Sequence, residues 1–488
     1  MEIEELKTHA ISSAKWSLLS RVVRILGVPL LFLLLPFWLT PADYGLCSII
    51  LSILALLTII QQVGLIETTI QRENDAEDVR NLAFWVSIGF SILLYIVVYF
   101  LSPYLSQFFS NPSLTSPLRV ASLQIIFQGL SNIPLAWMQR KFLYQKLAFI
   151  QICYSVTAVI ITVILAILGM GYWSYVIGVT IGMVLQLLLV LMGMDWKPVF
   201  HGFSHLWLES LRFGNFVMLE ALLGWFFIWF DNIVVARNLG SEALGIYSLA
   251  FGATTTIISL PTSAITGVTL STFSRMQSDL RRLGESYVKG IRLIAMFAIP
   301  AGIGLCLFSS PLAAIVYSQK WVGLGSIMSI LSLYAGFGYL WILNTDAFKS
   351  IGKPETMVKI YLPVLLIMMP AYIISSHYGL LTFTIVRSMI VVVSAFPHTY
   401  FAIKLLQLPK NYLWTSTRLA LLASSVMAAV IYPLLMVVEN TMIGSNAVKM
   451  IVLLSLILLG AFIYLGVTLI FDSKYVKQVI GLVKQALG

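Results

Sequence analysis

Fourteen apolar segments, each long enough to cross a bilayer, restrict the possible folds of this chain more than any other feature of its sequence. About 20 apolar residues in a helix span the hydrocarbon core. Helices satisfy their own backbone hydrogen bonds, which the core requires because it holds no water. We therefore predict an all-α polytopic membrane protein with fourteen transmembrane helices. The predicted spans are residues 16–39, 45–66, 82–102, 117–136, 147–169, 173–194, 213–236, 243–268, 288–309, 324–346, 358–376, 380–403, 417–437 and 447–471.

Composition supports this class and argues against a globular enzyme with a single anchor. Charged residues make up 10% of the chain, against about 25% in soluble domains. The net charge of +10 comes from cations that flank apolar segments, so anionic lipid explains it better than nucleic acid. Cys47, Cys153 and Cys306 lie in apolar stretches without metal or redox spacing, which predicts no disulfide, no metal and no cofactor.

The distribution of Lys and Arg predicts the orientation. Of these 30 residues, 22 fall in connections and tails that would share one side of the membrane. Only Arg119, Arg237, Lys320 and Lys449 lie in or beside the opposite loops. Cytoplasmic loops carry the excess of cations, so both termini are predicted to be cytoplasmic. The opposite loops are short and leave no room for a separate catalytic domain.

A faint internal repeat suggests two lobes. Leu39-Thr-Pro-Ala-Asp-Tyr-Gly45 and Leu239-Gly-Ser-Glu-Ala-Leu-Gly245 occupy equivalent places in the topology, and Ser48 matches Ser248. A parallel repeat of six spans gives two pseudo-symmetric lobes. The predicted domains are an N-terminal lobe (1–194, spans 1–6), a cytoplasmic amphipathic linker (195–212), a C-terminal lobe (213–403, spans 7–12) and spans 13–14 with a tail (404–488).

Three arginines within spans are candidates for binding an anionic group. Arg21 and Arg24 share one face of the first predicted helix with Ser17, and Arg24 lies roughly 14 Å into it at 1.5 Å per residue. Arg387 lies about seven residues into span 12 and has no local partner in sequence. Such charges usually face a cavity or a partner, and guanidinium groups grip phosphate through a bidentate fork. Snorkelling of Arg21 and a structural ion pair for Arg387 remain open.

Two carboxylates in the seventh span are candidates for ion coupling. Glu220 and Asp231 fall on one helical face with Gly224 and Phe227. A carboxylate buried in a membrane can carry protons. A structural ion pair or an interfacial position, the latter especially for Asp231 near Arg237, remains the alternative. His201 and His205 have the spacing of a metal pair, but an amphipathic helix explains their segment better.

Several short motifs resemble those of a known family. The chain resembles the polysaccharide transporters of the multidrug/oligosaccharidyl-lipid/polysaccharide export superfamily, which are bacterial flippases of O-antigen and exopolysaccharide repeat units. The motifs are Ser20-Arg-Val-Val-Arg24, Leu39 to Gly45, Gly64-Leu65, Asn132 to Arg140, Phe230-Asp-Asn-Ile-Val-Val-Ala-Arg237 and Leu244-Gly-Ile-Tyr247. The resemblance implies two lobes around a cavity of alternating access, and a substrate built from a polyprenyl lipid, a pyrophosphate and a glycan. It also implies that Arg24, and less firmly Arg21, lines that cavity.

The sequence therefore predicts a flippase, not an enzyme, in the bacterial inner membrane. Its substrate would be an undecaprenyl-pyrophosphate-linked oligosaccharide for O-antigen, capsule or exopolysaccharide synthesis. Membrane lipids, a coupling proton or sodium ion and a polysaccharide polymerase are the other expected partners, and nucleic acid is not one. A cation-coupled drug or metabolite antiporter of the same fold is the alternative, because Glu220 and Asp231 suit one. A membrane polymerase or glycosyltransferase is a weaker rival, since the outer loops are short.

Overall fold

A computed structural model describes residues 27–62, 76–199, 206–317, 319–441 and 445–487. This described part is helical throughout and contains no strand, as the apolar segments predict. Fourteen α-helices, α1 to α14, follow in chain order, with short 3₁₀ turns between some of them. Their bounds are Val28–Leu34, Pro41–Gln62, Ala76–Phe108, Thr115–Arg140, Tyr144–Ile167, Tyr172–Gly193, Leu206–Ser274, Leu280–Val316, Leu324–Gly338, Asn344–Ser350, Glu355–Ser376, Leu380–Leu406, Tyr412–Thr441 and Asn446–Leu487.

Helices and predicted spans do not correspond one to one. Within the described residues, 11 helices are long and apolar enough to cross a membrane, against the fourteen spans predicted. The predicted first span begins outside the described residues. The predicted fourth span coincides with α4, which is not among the 11 and carries Arg119, Gln124 and Asn132. The predicted seventh and eighth spans form one continuous element, α7.

The break within α7 lies where the sequence predicted a loop. Gly240 has φ +88° and ψ 173°, and the rest of the element keeps helical geometry. A positive φ of this kind is readily available only to glycine, so Gly240 divides α7 into two helical segments without a connecting loop. Residues 200–205 of the predicted amphipathic linker lie outside the described part, and helix α7 begins at Leu206. The other predicted domain boundaries stay predictions.

The chain separates into two compact units, residues 1–245 and 246–488. In the first unit, α5 and α6 pack closely through small residues. A Cβ added to Gly178 would come 2.1 Å from Oγ1 of Thr162, and one added to Gly182 would come 2.9 Å from Cβ of Ala158. The Gly178-x-x-x-Gly182 motif is therefore a helix-packing motif, since small residues allow two helices to approach.

The two copies of the sequence repeat contact each other within the first unit. A Cβ added to Gly45 would lie 1.8 Å from the backbone oxygen of Ser241, and one added to Gly245 would lie 1.8 Å from that of Pro41. Pro41 begins α2, and Ser241 begins the second segment of α7. The contact is reciprocal, because each segment supplies both a glycine and the carbonyl that the other glycine meets. No larger residue fits at either glycine without moving backbone.

In the second unit, α8 packs against α9, α13 and α14. A core cluster around Tyr287, Ile291 and Leu343 joins α8 to the region before α10. Arg292 of α8 forms a salt bridge with Asp472 of α14, at the position where α14 departs from helical geometry. This pairing satisfies the charge of Arg292, which lies near the start of the predicted span 288–309.

Many large apolar side chains are exposed along the helices. Phe100, Phe396 and Ile470 are 68%, 73% and 80% exposed, although soluble proteins rarely leave extended apolar patches in water. Side chains of this kind are compatible with hydrocarbon around the helices. Arg119 and Arg237, two of the cations that the sequence places in or beside the opposite loops, have local partners. Arg119 donates from Nε to the Tyr99 carbonyl at 3.2 Å, and Arg237 donates to Oγ of Ser110 at 2.9 Å.

Candidate substrate-binding site

Arg387 is completely buried within the second unit. It lies in the third turn of α12 and is 1% exposed. Its guanidinium carbon lies 4.2 Å from the ring centroid of Tyr334, 4.5 Å from that of Phe251 and 5.9 Å from that of Tyr247. We call Arg387 and these three rings the arginine cage. A desolvated cation gains about 2 kcal/mol or more from an aromatic face, which offsets part of the cost of charge in an apolar span.

Regular spacing of residues on α7 and α12 positions most of the cage. Tyr247 and Phe251 are four residues apart on the second segment of α7, so they share a face, and their rings stack at 6.3 Å. Phe383, one turn before Arg387 on α12, contacts Tyr247 edge to face at 5.7 Å. The rings cover faces of the guanidinium, whereas its N–H donors lie in its plane. An anion would therefore reach Arg387 only at that edge.

An apolar groove of about 560 Å³ adjoins the cage. It lies between α9, α12 and α13, and Tyr334 belongs to both its wall and the cage. Met389 and Val392, which line it, are 60% and 59% exposed, so the groove opens sideways from the helices. A lateral opening of this composition fits a hydrocarbon chain. The lining residues are Ile330, Leu333, Tyr334, Phe337, Leu340, Trp341, Ile385, Ser388, Met389, Val391, Val392, Ala395, Leu413, Thr417 and Leu421.

The predicted coupling carboxylates fall in the first segment of α7. Asp231 is 2% exposed, and its Oδ1 accepts a hydrogen bond from the backbone N–H of Asn232 at 2.8 Å. One and a half turns earlier, Trp225 donates from Nε1 to the Ser52 carbonyl of α2 at 3.1 Å. Asp231 is therefore a buried carboxylate in a helix anchored to α2. Glu220 lies in the same helix, and its side chain is outside the described residues.

Arg21 and Arg24 lie outside the described residues, so their predicted role in binding pyrophosphate stays a prediction. Asp231 belongs to the first unit and Arg387 to the second. Asp346, the last residue of the predicted span 324–346, accepts a hydrogen bond from Thr269.

Sequence reasoning missed a buried polar network in the second unit. Tyr287 of α8 donates to Oδ1 of Asn344, whose Nδ2 lies 3.0 Å from Nδ1 of His398 on α12. Trp341 stacks on the His398 ring with centroids 6.0 Å apart. Buried polar groups are expensive unless paired, so this network holds α8, α10 and α12 in a specific arrangement. Polar residues inside predicted spans were the signal available.

The fold is shared with solved membrane transport proteins. The structure matches lipid II flippase MurJ in an inward closed conformation with a TM-score of 0.75 and 16% sequence identity, covering 96% of this chain and 100% of that one. It matches an inward-facing multidrug resistance MATE family transporter with a TM-score of 0.66 and 17% identity, covering 80% of this chain and 98% of that one. These likenesses establish the class: a multi-pass α-helical membrane protein of the MurJ and MATE fold.

Sequence comparisons define the family. The polysaccharide biosynthesis protein family matches residues 36–325, more than half of the chain. Lipopolysaccharide biosynthesis protein WzxC of Escherichia coli (strain K12) is 24% identical over 356 residues, which cover 72% of this chain and 69% of WzxC. Teichuronic acid biosynthesis protein TuaB of Bacillus subtilis (strain 168) is 22% identical over 346 residues, covering 70% and 72%. The chain belongs to the polysaccharide biosynthesis protein family, which confirms the resemblance drawn from its motifs.

Proposed function

We propose that this protein is a flippase for an undecaprenyl-pyrophosphate-linked oligosaccharide, moving it from the cytoplasmic to the outer leaflet for surface polysaccharide synthesis. The observation that carries this proposal is the arginine cage and its neighbouring groove. An amphiphile with an anionic head needs a cation inside the membrane and an apolar surface for its tail. Arg387 supplies the cation and the groove supplies the apolar surface, and Tyr334 contacts Arg387 and lines the groove.

Binding at Arg387 requires the cage to open. The guanidinium is 1% exposed, so a pyrophosphate cannot reach it in this conformation. The opening requires α7 or α9 to move away from α12 within the second unit, because those three helices supply the cage. This movement would accompany alternating access between two six-helix lobes, with fourteen spans and both termini in the cytoplasm. Arg24 and Arg21 would also bind the pyrophosphate.

The proposal also covers the partners and the location. The relatives' names place them in lipopolysaccharide and teichuronic acid biosynthesis, which supports a lipid-linked glycan in a bacterial inner membrane. A proton or sodium ion acting on Glu220 and Asp231 would drive transport. A polysaccharide polymerase would receive the product on the outer side. The fold shared with the flippase MurJ and a MATE family transporter supports a transporter rather than an enzyme.

Reconstitution tests the proposal directly. The full-length protein is placed in liposomes that contain an undecaprenyl-pyrophosphate-linked fluorescent trisaccharide, and a membrane-impermeant quencher reports which leaflet holds it. We expect quenching of the inner-leaflet pool at a rate above that of protein-free liposomes. Ethidium uptake against a pH gradient serves as the matched assay for a drug antiporter. Ethidium transport without movement of the lipid-linked glycan would replace the proposal with that alternative.

A further inference from the structure

Arg80, which the proposed function does not use, is held between aromatic rings in the first unit. It lies in the first turns of α3 and is 6% exposed. Its guanidinium carbon is 4.3 Å from the ring centroid of Trp137 in α4 and 4.2 Å from that of Trp196 after α6. The guanidinium therefore lies over the rings of both indoles, which restrict its position.

Two donors at this place have no acceptor. Within the described residues, Nε of Arg80 and Nε1 of Trp137 are enclosed and make no hydrogen bond. Buried donors nearly always have a partner, and exceptions call for an explanation such as an unoccupied ligand position. Neither Nη nitrogen of Arg80 is among the enclosed atoms that lack a partner. An acceptor from outside the described residues can satisfy the two enclosed donors once the surrounding side chains move to admit it.

The charges around Arg80 favour an anion. Arg140 and Lys141 each lie 5.6 Å from the Trp137 ring centroid. Lys141 forms a salt bridge with Asp195, and this hydrogen bond lowers the pKa of the Asp195 carboxyl, so Asp195 stays ionised and already has a cation. Glu77 on α3 and Asp195 both attract Arg80. Among the described residues, the three cations Arg80, Arg140 and Lys141 thus outnumber the two carboxylates that act on Arg80.

The position within the fold indicates the kind of anion. α3 begins at Ala76, α4 ends at Arg140 and α6 ends at Gly193, so the site lies at the ends of three helices. A hydrogen bond of 3.4 Å from the Val199 N–H to Oδ1 of Asn81 fastens the segment that carries Trp196 onto α3. Tryptophan prefers the membrane–water boundary, and lipid phosphates lie at that level. Basic pockets between helices at this level bind anionic headgroups.

We propose that Arg80, Trp137 and Trp196, with Arg140 and Lys141, form a binding site for the phosphodiester headgroup of an anionic phospholipid. When the surrounding side chains move to admit the headgroup, the Arg80 guanidinium and the Trp137 Nε1 donate to its phosphate oxygens, and the two indoles hold the guanidinium in place. This site lies wholly in the first unit and is separate from Arg387 in the second. It holds whether or not the cargo proposed above is right.

Native mass spectrometry of the full-length protein in detergent tests the site. The probes are phosphatidylglycerol, phosphatidylcholine and undecaprenyl phosphate, titrated separately and in competition. We expect retention of phosphatidylglycerol over phosphatidylcholine. Arg80→Gln should weaken phosphatidylglycerol binding roughly tenfold, because a hydrogen bond to a charged group is lost. Lys353→Gln removes an exposed cation in the second unit and is the matched control for charge alone.

Two milder variants keep the test decisive if Arg80→Gln fails to fold. Arg80→Lys keeps the charge against the indoles but loses the fork, and Trp137→Phe keeps a ring but loses Nε1–H. Both should fold and bind more weakly than the wild type. Equal binding of the two phospholipids, or equal losses in Arg80→Gln and Lys353→Gln, would overturn the site. Preferential Arg80-dependent binding of undecaprenyl phosphate would overturn the phospholipid assignment and identify a carrier-lipid site instead.

Discussion

At the scale of single residues, two buried guanidinium groups of this chain lie against aromatic rings. Arg387 contacts three rings, and Arg80 contacts two indoles. A ring face stabilises the cation without neutralising it. Both proposed sites therefore use a guanidinium that aromatic side chains help to stabilise.

Replacing Arg387 tests the cage as a binding site. In the proteoliposome assay, Arg387→Gln should lower the rate of flipping roughly tenfold or more, because a charge-assisted contact is lost. Tyr334→Phe keeps the ring and should flip at nearly the wild-type rate. Arg418→Gln removes an exposed cation of α13 and serves as the control. A folded Arg387→Gln protein with wild-type flipping would exclude Arg387 from the site.

Arg24 is the second residue to test. Its depth in the first predicted span, roughly 14 Å from Lys15 at 1.5 Å per residue, motivates a contact with the lipid pyrophosphate. Arg24→Ala should stop export while the protein still inserts, and Arg24→Lys should restore it only in part, since lysine lacks a fork. Export is measured as surface polysaccharide in cells. Normal export by a stably expressed Arg24→Ala protein contradicts the assignment.

Glu220 separates ion coupling from a structural ion pair. It lies roughly 12 Å beyond Arg212 at 1.5 Å per residue, so its carboxyl should be neutral, paired or bound to a cation. Glu220→Gln keeps the shape but cannot ionise. If Glu220 couples transport to an ion, the variant should fold and its rate of flipping should not respond to an imposed pH gradient. If Glu220 forms a permanent ion pair, the variant should lose expression. Wild-type pH dependence would assign the driving force to membrane potential acting on the anionic substrate.

The sequence predicted which residues to inspect better than it predicted their surroundings. The sequence shows that Arg387 lies deep in an apolar segment. The aromatic rings that surround it come from α7 and α9, which are distant from it along the chain. From the sequence, Arg80 is only one of the cations in a predicted cytoplasmic loop. No residue near it in the sequence indicates that Trp137 and Trp196 contact it. His398 and Asn344 escaped notice for the same reason. Spacing along one helix predicts a shared face, whereas contacts between helices depend on packing.

At the scale of helices, the residues at which a helix begins and ends were harder to predict from the sequence than the presence of the helix. Hydropathy located the long helices, but these extend past their apolar part into polar flanks, as α3 does by beginning at Ala76 and ending at Phe108. Polar residues in α4 and the joined segments of α7 explain why 11 candidate spans rather than fourteen are found among the described residues. The break at Gly240 needed a φ value that only the structure supplies.

The reciprocal glycine contact yields a prediction for helix packing. Gly45→Ala places a Cβ 1.8 Å from the Ser241 backbone oxygen, and backbone cannot yield as a flexible side chain can. We expect it to destabilise the protein by at least about 1–3 kcal/mol, the usual cost of overpacking. Gly89→Ala, in α3 with nothing within 4 Å of the new Cβ, gains helix propensity without a clash and should be neutral to slightly stabilising. Thermal unfolding in detergent measures both, and equal unfolding temperatures would refute the contact.

At the scale of the whole molecule, the alternation of cations makes a prediction about topology. Reporter fusions after Gly171 and after Asn440 should lie on the outer side, and a fusion after Lys353 should lie in the cytoplasm. The physical reason is the excess of Lys and Arg that cytoplasmic loops retain during insertion. Alkaline phosphatase and green fluorescent protein fusions report the two sides. A periplasmic signal at Lys353 would reverse the orientation and place the Arg80 site on the outer surface.

The contact between Gly45 and Gly245 has a consequence for the origin of the chain. Gly45 meets the carbonyl of Ser241, and Gly245 meets the carbonyl of Pro41, so each glycine contacts the residue four positions before the other. One short segment thus contains both halves of a self-complementary surface, like the interface of a twofold homodimer. A half-length polypeptide can make this contact with a second copy of itself. Gene duplication and fusion would then place the same contact within one chain, and no new interface would have to evolve.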